Sequence, residues 1–156
     1  MASKNEANKG LIEKINSVEK EQSRTFSNTQ KILLTTDGSI TAILDVLYGK
    51  ITLTTLEQHF EKATESTSEY VNVEVGDEIN YREVIMHKDD KPLIYALSYV
   101  PLKRVSNEIR EDLIRADIPI GRILKSYQIE SRREINNIYL EKPNETLKNL
   151  FKTDED

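Results

Sequence analysis

The stretch from Tyr81 to Val100 constrains the fold more than any other part of this sequence. Residues 81–87 are rich in β-branched, aromatic and long apolar side chains, and residues 93–100 repeat that character. A charged segment, residues 88–92, separates the two runs. Two such runs joined by a short polar turn predict an antiparallel hairpin, whose second strand ends at Pro101.

Around this hairpin the sequence mixes helical and strand patterns without regular alternation. We expect strands over residues 51–60, from Tyr70 and over residues 125–140. We expect helices from Leu11 to about Ser23, after the Asp37-Gly-Ser39 turn as far as Gly49, and after Ser106 or Asn107. A helical turn from Pro119 and a short helix after Pro143-Asn144 complete the prediction. This order favours an α+β fold with an antiparallel sheet, because a parallel sheet would need strands and helices in alternation.

The length and composition suit one domain. With 156 residues, of which 37% are hydrophobic, the chain can fill a single core. Apart from Met1, residues 1–9 are lysine, asparagine, glutamate and small residues. Such a segment buries too little to offset its ordering entropy, so we expect a flexible tail followed by one domain over residues 10–156.

Charge and residue usage argue against several classes of function. The net charge is -5, with basic residues spread among acidic ones, which disfavours nucleic acid as a partner. The chain has no cysteine and only two isolated histidines, His59 and His87, so we expect neither disulfides nor a metal site. The N-terminus is polar and no apolar run is long enough to span a bilayer, so we expect a cytoplasmic protein without a membrane partner.

Arg82 is the strongest candidate for ligand binding. Strand alternation places it on the same face as Val84 and Met86, where an arginine is costly unless it is paired, because it cannot lose its charge. Two readings remain open. Arg82 binds a ligand carboxylate through two parallel hydrogen bonds, or it forms a structural ion pair or reaches water at a sheet edge.

Three other segments offer weaker candidates. Ile118–Arg122 combines a proline, an apolar side chain and a glycine that would let the backbone approach a ligand, although it also suits an ordinary helix start. Asp37-Gly-Ser39 is a turn of the kind that caps many helices. Glu134, on the predicted strand over residues 125–140, is a fallback candidate for an internal carboxylate, and cross-strand salt bridges explain its position adequately.

In order and spacing, three segments resemble the chorismate pyruvate-lyase family, in particular its archaeal and mycobacterial branch. Lys31–Leu44 is similar to the family's first helical hairpin, Tyr81–Met86 to its arginine strand, and Pro119–Gly121 to its Pro-Leu-Gly turn. The resemblance implies an antiparallel sheet with helical flaps that close over an aromatic carboxylate.

The resemblance also assigns roles to residues of this chain. It implies that Arg82 binds the ring carboxylate and that Ile40 and Ile120, the latter beside Gly121, close over the ring. The implied reaction eliminates pyruvate from chorismate and leaves 4-hydroxybenzoate, without a metal or organic cofactor.

The family's catalytic glutamate has no positional equivalent in this sequence. Relatives continue, after the helix that matches Thr146–Lys152, into a final hairpin that carries this glutamate, and nothing after Phe151 resembles that hairpin. We therefore expect two strands fewer in the sheet, and Glu134 is the fallback group for proton transfer.

Two functions from other classes remain open. The effector-binding domains of some transcription regulators resemble this fold, and such a module would bind a small aromatic carboxylate without turnover. Alternatively, an open sheet edge would pair with a second copy of the chain and form a homodimer.

Overall fold

The computed structural model describes residues 10–115, 118–131 and 133–153, so the predicted tail over residues 1–9 lies outside it. The elements, in chain order, are α1 (Leu11–Gln22), α2 (Asn28–Thr35), α3 (Ile40–Tyr48), β1 (Thr52–Lys62), α4 (Glu65–Val71), β2 (Glu78–Lys88), β3 (Lys91–Pro101), a 3-10 turn (Leu102–Arg104), α5 (Asn107–Ile114), α6 (Ile120–Ser126) and α7 (Glu145–Phe151). The fold is α+β, as predicted. None of the described helices is long and apolar enough to cross a membrane.

The chain divides into two compact units. One, the sheet unit, consists of residues 44–130, and the other, the terminal unit, is drawn from residues 1–43 and 131–156. Helix α3 begins in the terminal unit and ends in the sheet unit. Gly49 follows it with a φ of 77°, the left-handed conformation that the sequence predicted there.

The sheet unit contains an antiparallel three-stranded sheet in the order β1-β2-β3. The predicted hairpin is confirmed, because β2 pairs with β3 from Ile79 opposite Pro101 to Lys88 opposite Lys91. The turn between them includes Asp89, which has a φ of 49°. Strand β2 is the central strand, so neighbours on both sides can satisfy its backbone.

The core of the sheet unit joins two helices to the sheet. Ile109 and Leu113 of α5 and Ile123 of α6 are buried together, and Val100 of β3 packs against them. Ile120, at the start of α6, also packs against this cluster. Helices α5 and α6 are therefore held to the sheet by apolar contacts, and they are the helix pair that the sequence placed after the hairpin.

Within the terminal unit, α1 makes polar contacts with the segments that follow it. The Glu19 carboxylate contacts Lys31 Nζ at 2.8 Å and accepts a hydrogen bond from the Phe26 N–H at 2.8 Å. These contacts lower the pKa of Glu19. Lys14 Nζ donates to the Asn136 carbonyl at 2.8 Å, which links α1 to the segment that follows residue 131.

The strand predicted to begin at Tyr70 is wrong. Residues Glu65–Val71 form α4, which Thr64 caps by accepting the Thr67 N–H and Asn72 closes with a φ of 54°. The valines that suggested a strand lie at the end of this helix and in the turn after it. Capping at both ends of a short helix outweighed their β propensity.

The strand predicted over residues 125–140 is also wrong. Helix α6 continues to Ser126, and Gln128 then turns the chain with a φ of 54°. Residues 129–131 and 133–144 have no regular secondary structure. A strand needs a neighbour to satisfy its backbone, and the described sheet offers none to this segment.

Ser106 caps α5 as predicted, since its hydroxyl accepts a hydrogen bond from the Ile109 N–H. We expect Ser106→Ala to lower the free energy of unfolding by about 1 kcal/mol, because that N–H loses its partner. Urea denaturation measures the change. Ser131→Ala, at an exposed serine outside any helix, is the control and should leave stability unchanged; equal losses in the two variants would contradict the capping role.

Candidate functional site

Arg82 is the largest fully buried side chain among the described residues, with 1% of its surface exposed. It lies near the middle of β2, opposite Gln58 of β1 and Ser98 of β3. Asn80, Arg82 and Val84 alternate along the strand and are all buried. This covered face of the central strand carries a positive charge that cannot be titrated away.

Hydrogen bonds to Ile118 and Thr55, both in the described part of the chain, help to orient the Arg82 guanidinium. Nη1 donates to the Ile118 carbonyl at 3.0 Å, and Nη2 donates to Thr55 Oγ1 at 3.3 Å. Ile118 precedes α6, whereas Thr55 belongs to β1. The arginine therefore connects the sheet to the Ile118–Arg122 segment, and these are the two predicted site elements that the structure brings together.

Helix α6 is anchored at its first turn. Pro119 is buried at the N-cap, Ile120 is half-buried in the core cluster described above, and Gly121 is exposed. Arg122 Nη2 donates to both carboxylate oxygens of Asp45, at 3.1 and 2.9 Å. The start of α6 is thus tied to the end of α3 inside the sheet unit.

The Asp45 carboxylate also accepts a backbone hydrogen bond, so its negative charge contributes to stability. It accepts the Ile51 N–H at 2.9 Å, and this bond together with Arg122 lowers the pKa of Asp45. A lowered folded-state pKa contributes stability above the unfolded-state pKa of about 3.9, and that contribution is lost as the pH falls through the folded-state value.

We expect Asp45→Asn to lower the free energy of unfolding at neutral pH by at most about 1 kcal/mol, since the carboxylate is one-third exposed and therefore screened. The deficit should shrink below about pH 4, where the wild-type carboxylate also becomes protonated. Urea denaturation across this pH range checks it. Asp90→Asn, at the exposed hairpin turn, should match the wild type throughout. A deficit that is constant with pH would refute the charge effect.

The opposite face of β2 carries Tyr81 and Glu83, since neighbouring strand residues point to opposite sides. The Tyr81 hydroxyl donates to the Glu83 carboxylate, which, with burial, raises the pKa of Tyr81. Burial and a hydrogen bond to the same carboxylate raise the pKa of Tyr95. Glu83 follows Arg82 in sequence, but strand alternation and these tyrosine contacts place it on the face opposite the arginine.

A comparison with known families decides which family this chain belongs to. Residues 34–156 match the family model described as "Chorismate pyruvate-lyase Rv2949c-like", which covers more than half of the chain. The chain belongs to this family. The resemblance seen in the sequence is thereby confirmed.

A curated relative supports the assignment. The chain is 39% identical over 131 residues to the protein named "Putative lyase MJ0807" from Methanocaldococcus jannaschii. The alignment covers 81% of this chain, and the chain spans 64% of the length of that relative.

Two candidate residues, Ile40 from the lyase resemblance and the fallback Glu134, belong to the terminal unit. Ile40 is half-buried and begins α3, directly after Ser39, whose hydroxyl accepts the Ala42 N–H at 3.2 Å. Glu134 is exposed and lies in the irregular segment after residue 131. The roles of Ile40 over the ring and of Glu134 in proton transfer stay predictions.

The sequence reasoning missed three polar residues on the face that carries Arg82. Asn80 is fully buried two residues before Arg82, and Gln58 and Thr55 lie on β1. A signal for Asn80 was available, because strand alternation puts it on the same face as Arg82. Gln58 was hidden by a bulge between Thr55 and Glu57, which shifts the alternation of β1 by one residue.

Proposed function

We propose that this member of the Rv2949c-like family eliminates pyruvate from chorismate and releases 4-hydroxybenzoate, with Arg82 binding the ring carboxylate. The burial of Arg82 carries the proposal. It lies on the covered face of the central strand, at the position that the family resemblance gives to the carboxylate-binding arginine. A guanidinium matches a carboxylate with two parallel hydrogen bonds, and low-dielectric surroundings strengthen such charged bonds.

The orientation of Arg82 supports the proposed role. The Ile118 carbonyl and the Thr55 hydroxyl approach different terminal nitrogens, so the guanidinium plane is set before a ligand arrives. A preoriented group loses less conformational freedom when it binds, and binding is tighter for that reason. The same contact to Ile118 would couple the position of α6 to the carboxylate end of the site.

The chemistry asks little of the protein beyond binding and one proton transfer. The ether bond between ring carbon C3 and the enolpyruvyl oxygen breaks, and so does the C–H bond at C4, whose electrons complete the aromatic ring. The proton ends on the released enolpyruvate, which becomes pyruvate. Aromatisation drives the reaction, so the protein must supply an anion-binding group, a site that excludes water and a group that transfers the proton.

We assign the binding tasks to the residues that the resemblance selects and the proton transfer to the fallback candidate. Arg82 is the anion-binding group, while Ile40 and Ile120, with Gly121 beside the latter, cover the ring and exclude water. Glu134 is the candidate proton-transfer group. This last assignment is the most easily tested separately, because Glu134→Gln removes the titratable group and leaves the side-chain shape almost unchanged.

Pyruvate release from chorismate, coupled to lactate dehydrogenase, tests the proposal, with 4-hydroxybenzoate measured in parallel. Equal amounts of the two products above the rate in protein-free buffer are expected. Binding of 4-hydroxybenzoate without turnover would support an aromatic-carboxylate sensor instead. If there is neither turnover nor binding, both functions are wrong.

A further inference from the structure

Asn80 is a buried amide that no described protein group satisfies. Its side chain is 0% exposed, and neither Nδ2 nor Oδ1 has a hydrogen-bond partner in the described part of the chain. Burying such an amide without partners costs roughly 1–3 kcal/mol, and an apolar residue of similar size would avoid that cost. Buried polar groups of this kind call for a specific reason.

Gln58 presents a further buried polar atom on the same face of the sheet. Its Nε2 donates to the Leu113 carbonyl at 2.9 Å, which fixes the orientation of the amide. The other amide atom, Oε1, is buried and accepts no hydrogen bond from the described residues. Gln58 therefore supplies an acceptor, and Asn80 supplies one donor group and one acceptor.

The positions of these two residues relative to Arg82 follow from the strand geometry. Asn80 and Arg82 are two residues apart on β2, so their backbones are about 7 Å apart on one face. Gln58 is directly opposite Arg82 on the neighbouring strand. A benzoate with a para substituent has its carboxylate and its second polar group at opposite ends of the ring, and Arg82 and Asn80 are the polar side chains at two successive positions of the covered face.

The hydrogen-bonding capacity of the two amides selects the group that they bind. A hydroxyl both donates and accepts a hydrogen bond, and an amide has an oxygen that accepts and an NH₂ group that donates. A second carboxylate only accepts, and it would be repelled by the acceptor oxygens of Gln58 and Asn80. We propose that Asn80, assisted by Gln58 Oε1, binds the ring hydroxyl para to the carboxylate that Arg82 holds. The proposal rests on the proposed function, because it uses the same carboxylate clamp.

A panel of ligands tests this on the unmodified chain by isothermal titration calorimetry. We expect 4-hydroxybenzoate to bind about ten- to a hundredfold more tightly than benzoate. 4-Methoxybenzoate accepts but cannot donate, and 3-hydroxybenzoate carries its hydroxyl at the wrong position, so neither should show the full gain. This comparison needs no variant and therefore does not depend on one that folds.

Asn80→Leu, which is similar in size but apolar, assigns the effect to the residue. The variant should bind 4-hydroxybenzoate no more tightly than benzoate. Its affinity for benzoate should stay within about twofold of the wild-type value. Asn149→Leu, at an exposed asparagine of α7, should retain the wild-type preference. If the wild type binds both ligands equally, or if Asn80→Leu keeps the preference, the hydroxyl site is wrong and the carboxylate clamp stands. If the wild type binds none of the ligands, both the proposed function and the hydroxyl site are wrong.

Discussion

Arg82→Met is expected to weaken the binding of benzoate and 4-hydroxybenzoate by at least about a hundredfold and to abolish pyruvate release. Each hydrogen bond to a charged group contributes about 1.5–3 kcal/mol, and a bidentate contact has two of them. Their joint loss of about 3 kcal/mol or more corresponds to this change in affinity. Both ligands should lose equally, because they share the carboxylate and differ only at the para position.

The choice of methionine separates binding from folding. It keeps most of the volume of the arginine and removes its charge, so apolar atoms still fill the buried face. The Ile118 carbonyl and the Thr55 hydroxyl each lose a donor, so we expect a moderate loss of stability and not an unfolded chain. Circular dichroism and urea denaturation establish that the variant is folded before its affinity is measured.

Arg110→Met provides the matched control. The Arg110 side chain is 39% exposed and contacts Glu78 at 3.5 Å and the ring of Phe60, so its removal changes the net charge by the same amount and leaves the described Arg82 contacts in place. It should bind both ligands as the wild type does. If Arg110→Met loses affinity as strongly as Arg82→Met, the effect is one of overall charge and Arg82 is not the clamp.

Capping and turn residues in the sequence predicted the helices and strands that such residues begin or end. Ser106 and Asn144 are the N-caps of α5 and α7, and Gly49 follows α3 with a positive φ, each as the sequence indicated. The β2–β3 hairpin was equally accessible, because a short charged turn between two β-rich runs leaves few alternatives. In all these cases the deciding interactions lie within a few residues along the chain.

The errors arose where distant partners decide the structure. Residues 125–140 have strand-like composition, but a strand exists only when another strand is available to pair with it, and composition carries no information on that. At the site, period-two alternation was enough to find Arg82 on β2. It failed on β1, where the bulge after Thr55 brings Gln58 onto the face that carries Arg82. Sequence reasoning thus found the charge of the site and missed the amides next to it.

Ile123→Ala is expected to cause the largest loss of stability, about 3 kcal/mol. Ile123 is 2% exposed and packs with Ile109 and Leu113, so truncation removes its buried methyl and methylene groups and leaves a cavity. Ile114→Ala removes the same atoms at the end of α5, where the side chain is 48% exposed, and should cost less than about 1 kcal/mol. Urea denaturation of the two variants gives the difference directly.

The same substitution should also weaken ligand binding, although Ile123 is not assigned any contact with the ligand. Helix α6 begins two residues after Ile118, whose carbonyl orients Arg82, and Ile123 is the buried anchor of that helix. A loosened α6 therefore leaves the guanidinium less well oriented, and affinity for benzoate should fall about three- to tenfold in Ile123→Ala. Ile123→Val, with a cost of about 1 kcal/mol, should lie between the wild type and Ile123→Ala in both stability and affinity. Stability that falls while benzoate affinity stays at the wild-type value in both variants would mean that α6 supports the fold and does not position Arg82.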